Sequence, residues 1–319
     1  MRELDASVFD DASIPPETLA VNAAIRELTA DMPNWWDVGA EKVRAARARG
    51  EGPFPAVEKS PRARTVEIDR PGTGDKIALR VIASERSRGA YLHFHGGGWV
   101  LGAADQQDRL LERIADVARL TAVSVEYRLA PEHPFPAGPD DCETAAHWVA
   151  AHVRDLAGGD ALAVGGESAG GYLAALTLLR VRDRLGRSPF SAANLVFGAF
   201  DLGLTPSARN FGEDRLILRT SDIEHFTDAF VPDVGVRRAP HVSPLYADLR
   251  GLCPALFTVG TKDALLDDSL FMHARWRAAG NRAELAVYPG AVHGFIAFPA
   301  PQTFAALERQ TAFLNDALG

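Results

Sequence analysis

The chain has only two cysteines among its 319 residues, Cys142 and Cys253, too few for a disulfide framework or a four-thiolate zinc site. Both are expected to be buried free thiols. No uninterrupted apolar stretch is long enough to span a bilayer; the longest runs are strand-sized and end at glycine or charge, so no membrane partner is expected. Positive charge is in deficit, with 34 Lys and Arg against 42 Asp and Glu and a net charge of -8, and such an average field repels nucleic acid. Two basic clusters, Lys42 to Arg49 and Arg180 to Arg187, are interleaved with Ala, Val and Leu at helical spacing and read as solvated helix faces. The start, Met1 to Asp11, lacks the basic flank and apolar stretch of a secretory signal, which points to a cytoplasmic protein.

Several chemistries leave no trace. There is no Gly-x-x-x-x-Gly-Lys phosphate loop, no His-Glu-x-x-His, and no Gly-x-Gly-x-x-Gly after a strand. His147 and His152 are helical neighbours that no third ligand joins, so they are expected to face solvent and no metal site is expected.

What the chain does contain is an ordinary globular balance, 47% hydrophobic and 24% charged, enough for one large core with an appendage. After Pro15-Pro16, Val21, Ile25 and Leu28 fall at helical spacing, and Trp36, Ala40 and Val43 repeat it, predicting two amphipathic helices. Breakers from Gly50 to Pro55 then separate an amino-terminal cap segment, residues 1–55, from a catalytic domain, residues 56–319. Thr65 to Ile68 and Ile77 to Ile82 read as strands joined by a Pro71-Gly72-Thr73-Gly74 turn. Further strands are predicted at Ala90 to Phe94, Ala122 to Glu126, Leu162 to Gly165, Leu195 to Gly198, Ala255 to Val259 and Ala283 to Tyr288. Helices between them are predicted near Asp105 to Leu120, Asp140 to Asp155, Ala169 to Leu185, Leu266 to Ala279 and Phe304 to Leu318. Such alternation implies a mostly parallel sheet with helices on both faces. One stretch, residues 201–246, has no good strand but a helical segment around Ser221 to Phe230; an insertion of that length could cap a binding crevice together with the amino-terminal helices.

The decisive segment runs Leu162 to Gly171, strand, tight turn and helix, in which Gly166, Ser168 and Gly170 match the Gly-x-Ser-x-Gly nucleophile elbow. A turn sharp enough to push a serine hydroxyl into a crevice strains the backbone and leaves no room for neighbouring side chains. Alone the pattern is weak, since Gly-rich strand-to-helix turns are common. A second strand, however, runs from Tyr91 straight into His95-Gly96-Gly97-Gly98-Trp99, and a His-Gly-Gly-Gly loop of this kind supplies oxyanion N–H groups together with the residue after the nucleophile, here Ala169.

A serine hydroxyl needs a base, and the base a carboxylate. In the elbow architecture the order is Ser, acid, His. Of the two histidines after Val259, His273 falls within the helical pattern Leu266 to Ala279 and reads as a helix-surface residue, whereas His293 sits in a loop directly after the last strand. Asp263 follows the strand ending at Val259 and is the preferred acid; Asp267 and Asp268 are its rivals, better suited to the first turn of the next helix. Glu167, next to the serine, points away from it and is expected to have a structural hydrogen-bonding role.

Four blocks, His95-Gly96-Gly97-Gly98-Trp99, Tyr127-Arg128-Leu129-Ala130-Pro131-Glu132, Gly166-Glu167-Ser168-Ala169-Gly170-Gly171 and Val292-His293-Gly294-Phe295, make the chain resemble the hormone-sensitive-lipase-like α/β-hydrolases. Ser243-Pro244-Leu245 and the stretch from Gly260 to Asp268 extend the resemblance, which runs from about Tyr91 to Phe295. It implies an α/β-hydrolase fold, a mostly parallel eight-stranded sheet flanked by helices with a helical cap. It implies Ser168, Asp263 and His293 as triad, and Gly97, Gly98 and Ala169 as oxyanion donors with Gly96 nearby. The chain departs from the family's usual Asp at Glu167 and usual Pro at Ala264, the second of which leaves Asp267 in contention. Trp35, Trp36, Trp99 and Phe211 are expected pocket walls.

The reaction implied is acyl transfer to water, with a small-molecule ester as partner, a short acyl chain preferred, and no cofactor. A homodimer is compatible with such a chain. An amidase or deacetylase could use the same machinery; a ligand-binding protein on a dead hydrolase scaffold, as in plant gibberellin receptors, is the rival from another class and is disfavoured by the presence of His293.

Overall fold

The computed structural model describes residues 5–56 and 58–319. The first four residues of the expected cap segment, and of the start read above for a signal, therefore lie outside the described residues, as does residue 57 of the expected catalytic domain.

Eight strands form one sheet: β1 Ala63–Asp69, β2 Lys76–Ile82, β3 Gly89–Phe94, β4 Thr121–Val125, β5 Ala161–Glu167, β6 Ala192–Val196, β7 Ala255–Lys262 and β8 Ala283–Val292. Their spatial order is β1-β2-β4-β3-β5-β6-β7-β8. The first hairpin is antiparallel, pairing Asp69 with Lys76 across the predicted turn, and β2 meets β4 antiparallel; every later pairing is parallel. The central strands β3, β4 and β6 are buried along their whole length, as strands covered on both faces must be.

The amino-terminal segment supplies α1 Pro16–Thr29, α2 Trp35–Val38 and α3 Ala40–Ala48. Between the later strands lie α4 Asp108–Arg113, α5 Ala137–Ala157, α6 Ala169–Leu185, α7 Pro206–Asn210, α8 Thr220–Phe230 and α9 Leu266–Ala278, and α10 Pro301–Leu318 follows the last strand. One face of the sheet packs α5, α6 and α9 through residues such as Val149, Leu173 and Trp276, and the other packs α4 and α10 through Leu111, Phe313 and Leu314. No described helix is long and apolar enough to cross a membrane.

Several expectations need correction. The helical pattern of Trp36, Ala40 and Val43 does not lie on one helix, because Gly39 interrupts it between α2 and α3. On α1 the buried stripe is Thr18, Asn22, Ile25 and Thr29, while Leu28 is exposed. The polar members are buried because they are satisfied: Asn22 Nδ2 donates to Gly290 O at 2.9 Å, and the Thr29 hydroxyl donates to Ile25 O at 2.8 Å. The predicted helix Asp105 to Leu120 divides into a 3₁₀ turn, α4 and a π-helical turn that ends at Arg119 with φ of 55°. The sixth strand ends at Val196, two residues before its predicted end.

Residues 201–246 contain α7 and α8 and lie against the amino-terminal helices. Arg26 pairs with Asp214 at 2.7 Å, Arg215 donates to Thr29 O and Met32 O, and Arg219 donates to Asn34 Oδ1 at 2.9 Å. Trp35 stacks on Phe226 with centroids 5.0 Å apart, and Trp36 on His225 at 3.8 Å. The first turn of α9 anchors the same stretch to the sheet. Asp268 accepts from Phe200 N at 2.6 Å, Asp201 N at 2.9 Å and the Thr205 hydroxyl at 2.6 Å, and Asp267 accepts from Ser207 N at 2.8 Å.

Candidate active site

The carboxyl ends of β3, β5, β7 and β8 converge on one spot. Strand β5 turns into α6 at Ser168, whose φ of 58° and ψ of -120° are those of a strained elbow. The turn is so tight that a Cβ on Gly170 would overlap the carbonyl of Phe94 in the neighbouring strand, which explains the glycine. Ser168 N donates to Val196 O at 2.9 Å, fixing the elbow to β6. The side chain is half-buried and so reachable from the crevice.

The loop after β8 brings His293 over the elbow. Its Nδ1 lies 3.0 Å from both carboxylate oxygens of Asp263, which stands just past β7 and also accepts from Leu265 N at 2.8 Å. A carboxylate only accepts, so Nδ1 carries the proton, leaving the Nε2 lone pair to accept from Ser168 Oγ at 2.8 Å. The edge of Phe197, the residue that leaves β6 with φ of 35°, packs on the imidazole at 4.9 Å between centroids. Asp263 and His293 are both buried.

The glycine loop lies beside this trio. A Cβ on Gly96 would stand 2.8 Å from Glu167 O, so the missing side chain lets the loop press against the elbow. Among the described residues the backbone N–H groups of Gly97, Gly98 and Ala169 donate no hydrogen bond within the chain. Ala169 also heads α6, where the N–H groups of the first turn have no intrahelical acceptor and the helix dipole favours negative charge.

The loop is braced from below. His95 is buried, stacks on Tyr127 at 4.2 Å, donates through Nδ1 to Gly96 O, and accepts at its own carbonyl from the Tyr127 hydroxyl at 2.8 Å. Burial pulls the His95 pKa down to about 4, so its ring is neutral at ordinary pH. Asp141 holds Arg128 through Nε and a second guanidinium nitrogen, both at 2.9 Å, which fixes the chain where it leaves β4. Glu167 points away from Ser168, accepting from His93 Nε2 at 3.0 Å while the Ser124 hydroxyl donates to His93 Nδ1 at 2.9 Å.

Not every expected residue reaches the crevice. Trp99 lies in the core, stacked on Phe230 at 4.7 Å and edge-on to Tyr172 at 5.1 Å, so it backs the loop and does not wall the pocket. Phe211 is half-buried where two parts of the core meet, and Trp36 faces His225 and the Arg219 guanidinium. Trp35 stands one ring away from the site. The ring between is Phe226, which fills the space where a Cβ on Gly98 would be, and sequence reasoning missed it. It missed Phe54 too, whose Cε1 lies 2.9 Å from the position of a Cβ on Gly294. His273 is only partly exposed on α9: it is half-buried against Phe257 at 5.9 Å between centroids, and burial lowers its pKa. His152 is exposed and His147 half-buried near Glu143, and no cluster of potential metal ligands occurs among the described residues.

A family model described as alpha/beta hydrolase fold matches residues 91–297, which include every block of the site. The chain belongs to this family. Within it the hydrolase falls in the hormone-sensitive-lipase-like group of bacterial carboxylesterases. It is 35% identical over 236 residues to the carboxylesterase NlhH of Mycobacterium tuberculosis, covering 71% of this chain and 73% of that one. To the esterase LipI of the same organism it is 33% identical over 310 residues, covering 93% and 92%. Among solved structures, a hyperthermophilic esterase from Pyrobaculum calidifontis superposes with a TM-score of 0.84 at 30% identity, covering 95% of this chain and 98% of that one.

Proposed function

We propose that this carboxylic ester hydrolase cleaves short-chain acyl esters through Ser168, His293 and Asp263. The observation that carries the reading is one continuous set of contacts, Asp263 to His293 Nδ1 and His293 Nε2 to Ser168 Oγ, placed beside three N–H groups with no acceptor of their own. His293 takes the Ser168 proton as Oγ bonds to the ester carbonyl carbon. The carbonyl oxygen becomes an oxyanion facing the N–H groups of Gly97, Gly98 and Ala169, with Gly96 allowing the close approach. Collapse breaks the bond to the alcohol oxygen, which leaves with the proton from His293, and the acyl group stays on Ser168. Water then repeats the sequence, losing its proton to His293 and releasing the acid. The chemistry proposed needs no cofactor or metal.

Residues 1–55 and 201–246 act in this reading as the cap that limits the acyl pocket, with Trp35 behind Phe226 as the limiting bulk. Steady-state rates on 4-nitrophenyl esters of rising acyl length, with a matched anilide, test it. The expected outcome is fastest turnover on short esters, slow turnover of the anilide, and no activity in Ser168→Ala. A cytoplasmic location and a homodimeric assembly belong to the same proposal and are read by cell fractionation and sedimentation velocity.

A further inference from the structure

Arg44 and Arg47 lie one turn apart on α3, and they differ in how their charge is met. The Arg44 guanidinium is fully engaged, donating to Val100 O at 2.7 Å, Ala130 O at 2.6 Å and the Glu132 carboxylate at 2.8 and 3.1 Å. Arg47 has a buried Nε with no hydrogen-bond partner, and among the described residues no carboxylate pairs with it. The nearest acid in sequence, Glu51, pairs with Arg49 instead, at 2.8 Å. Burial pulls the Arg47 pKa down to about 10, with no neighbouring carboxylate to offset it.

Among the described residues, an aromatic contact of Arg47 leads toward the active site. Its guanidinium carbon lies 5.7 Å from the ring centroid of Phe54, and Phe54 in turn touches Gly294, the residue after His293. An aromatic face offers a cation some electrostatic attraction but no acceptors for its in-plane N–H donors. A guanidinium with an unpartnered Nε, one aromatic ring away from the residue after His293, is matched by a planar anion, for which its fork of donors is suited. The side of the crevice is also defined. His293 hands its proton to the departing alcohol oxygen, so groups adjoining His293 face the alcohol portion of the ester.

We infer that Arg47 is a specificity-determining residue that binds a carboxylate on the alcohol portion of the substrate, which makes the preferred substrates short acyl esters of small hydroxy acids. This rests on the serine-esterase reading above. Phe54 shields the pair from water and spaces the carboxylate from the reacting carbonyl.

The test compares 4-acetoxybutyrate with its neutral isostere 4-acetoxybutyramide, following alcohol release by wild type, Arg47→Met and Arg47→Lys. The expected result is a ratio of kcat/KM, anionic over neutral, that falls about tenfold or more in Arg47→Met, mainly through KM, and falls less in Arg47→Lys, which keeps the charge but not the planar fork. An equal fall on both esters, or a ratio within about twofold of wild type, would overturn the inference, since a purely structural role moves both substrates alike. Should Arg47→Met fail to fold, the wild type alone decides: 4-hydroxybutyrate should inhibit about tenfold more strongly than 4-hydroxybutyramide, and equal inhibition overturns the assignment. Cleavage of the neutral ester without preference for the anion removes only this inference. Cleavage of neither ester removes the esterase reading and this inference with it.

Discussion

The ring of Phe226 occupies the space into which a side chain on Gly98 would project, and on its other side it stacks almost parallel to Trp35, at 9°. Two aromatic plates from separate parts of the chain therefore stack beside Gly98, whose N–H is proposed to hold the oxyanion. Phe226→Ala and Trp35→Ala are expected to move the optimum of kcat/KM toward longer acyl chains, across 4-nitrophenyl esters from acetate to decanoate. Trp36→Ala should move it less, because that ring is held between His225 and Arg219. An unchanged profile in both Phe226→Ala and Trp35→Ala would contradict the cap's proposed role, as would a wild-type optimum on emulsified long-chain triglyceride.

Asp263 and Asp267 lie four residues apart and make different contacts. Asp263 faces His293, whereas Asp267 accepts from Ser207 at the base of α7. Asp263→Asn is expected to lower kcat by roughly 10⁴-fold, since an amide no longer fixes the imidazole tautomer. Asp267→Asn should leave kcat within about tenfold of wild type, the amide oxygen still accepting from Ser207 N. The opposite ranking would move the acid to Asp267.

Asp268 carries a pH signature. Burial pushes its carboxyl from 3.8 up to about 7, outweighing the bonds from Thr205, Asp201 and Phe200 that favour the charged form. Because the folded pKa lies above the unfolded one, the folded state binds this proton more tightly. The stabilisation is complete below about 3.8 and is lost as pH rises through about 7. Asp268→Asn removes that titration, so the melting temperature of the wild type should fall relative to the variant between pH 5 and pH 9, by an amount on the order of 1–4 kcal/mol in stability. A difference between the two proteins that is constant over this range would contradict the assignment.

Much of this was legible in the sequence because it rests on short-range pattern. The alternation of strand and helix runs gave the parallel sheet, and α6 begins and ends where its apolar period does, at Ala169 and Leu185. Ser168 and the glycine loop stand directly after strands, so their places followed from the strands themselves. Other features depend on distant neighbours. Leu195 to Gly198 reads as strand, yet the chain leaves the sheet at Phe197 to pack on His293, some hundred residues further along. Phe226 falls within the ordinary amphipathic pattern of α8, and Phe54 in a stretch of breakers; neither spacing reveals that they approach Gly98 and Gly294. The burial of Asn22 and Thr29 on α1, where apolar spacing favours Val21 and Leu28, is helped by acceptors at Gly290 and Arg215 that only the folded chain brings near.

The account turns on one activated serine, and covalent labelling reads it without any assumption about the natural substrate. A fluorophosphonate reacts quickly only with a hydroxyl whose proton has a base to accept it, as the 2.8 Å contact between Ser168 Oγ and His293 Nε2 provides. Intact-mass spectrometry of the wild type should show a single adduct, mapped by peptide sequencing to Ser168, with labelling abolished in Ser168→Ala and strongly slowed when His293 is replaced by Ala. Labelling of Ser168→Ala at the wild-type rate, or an adduct mapped to any other residue, would contradict the serine-hydrolase mechanism at its centre.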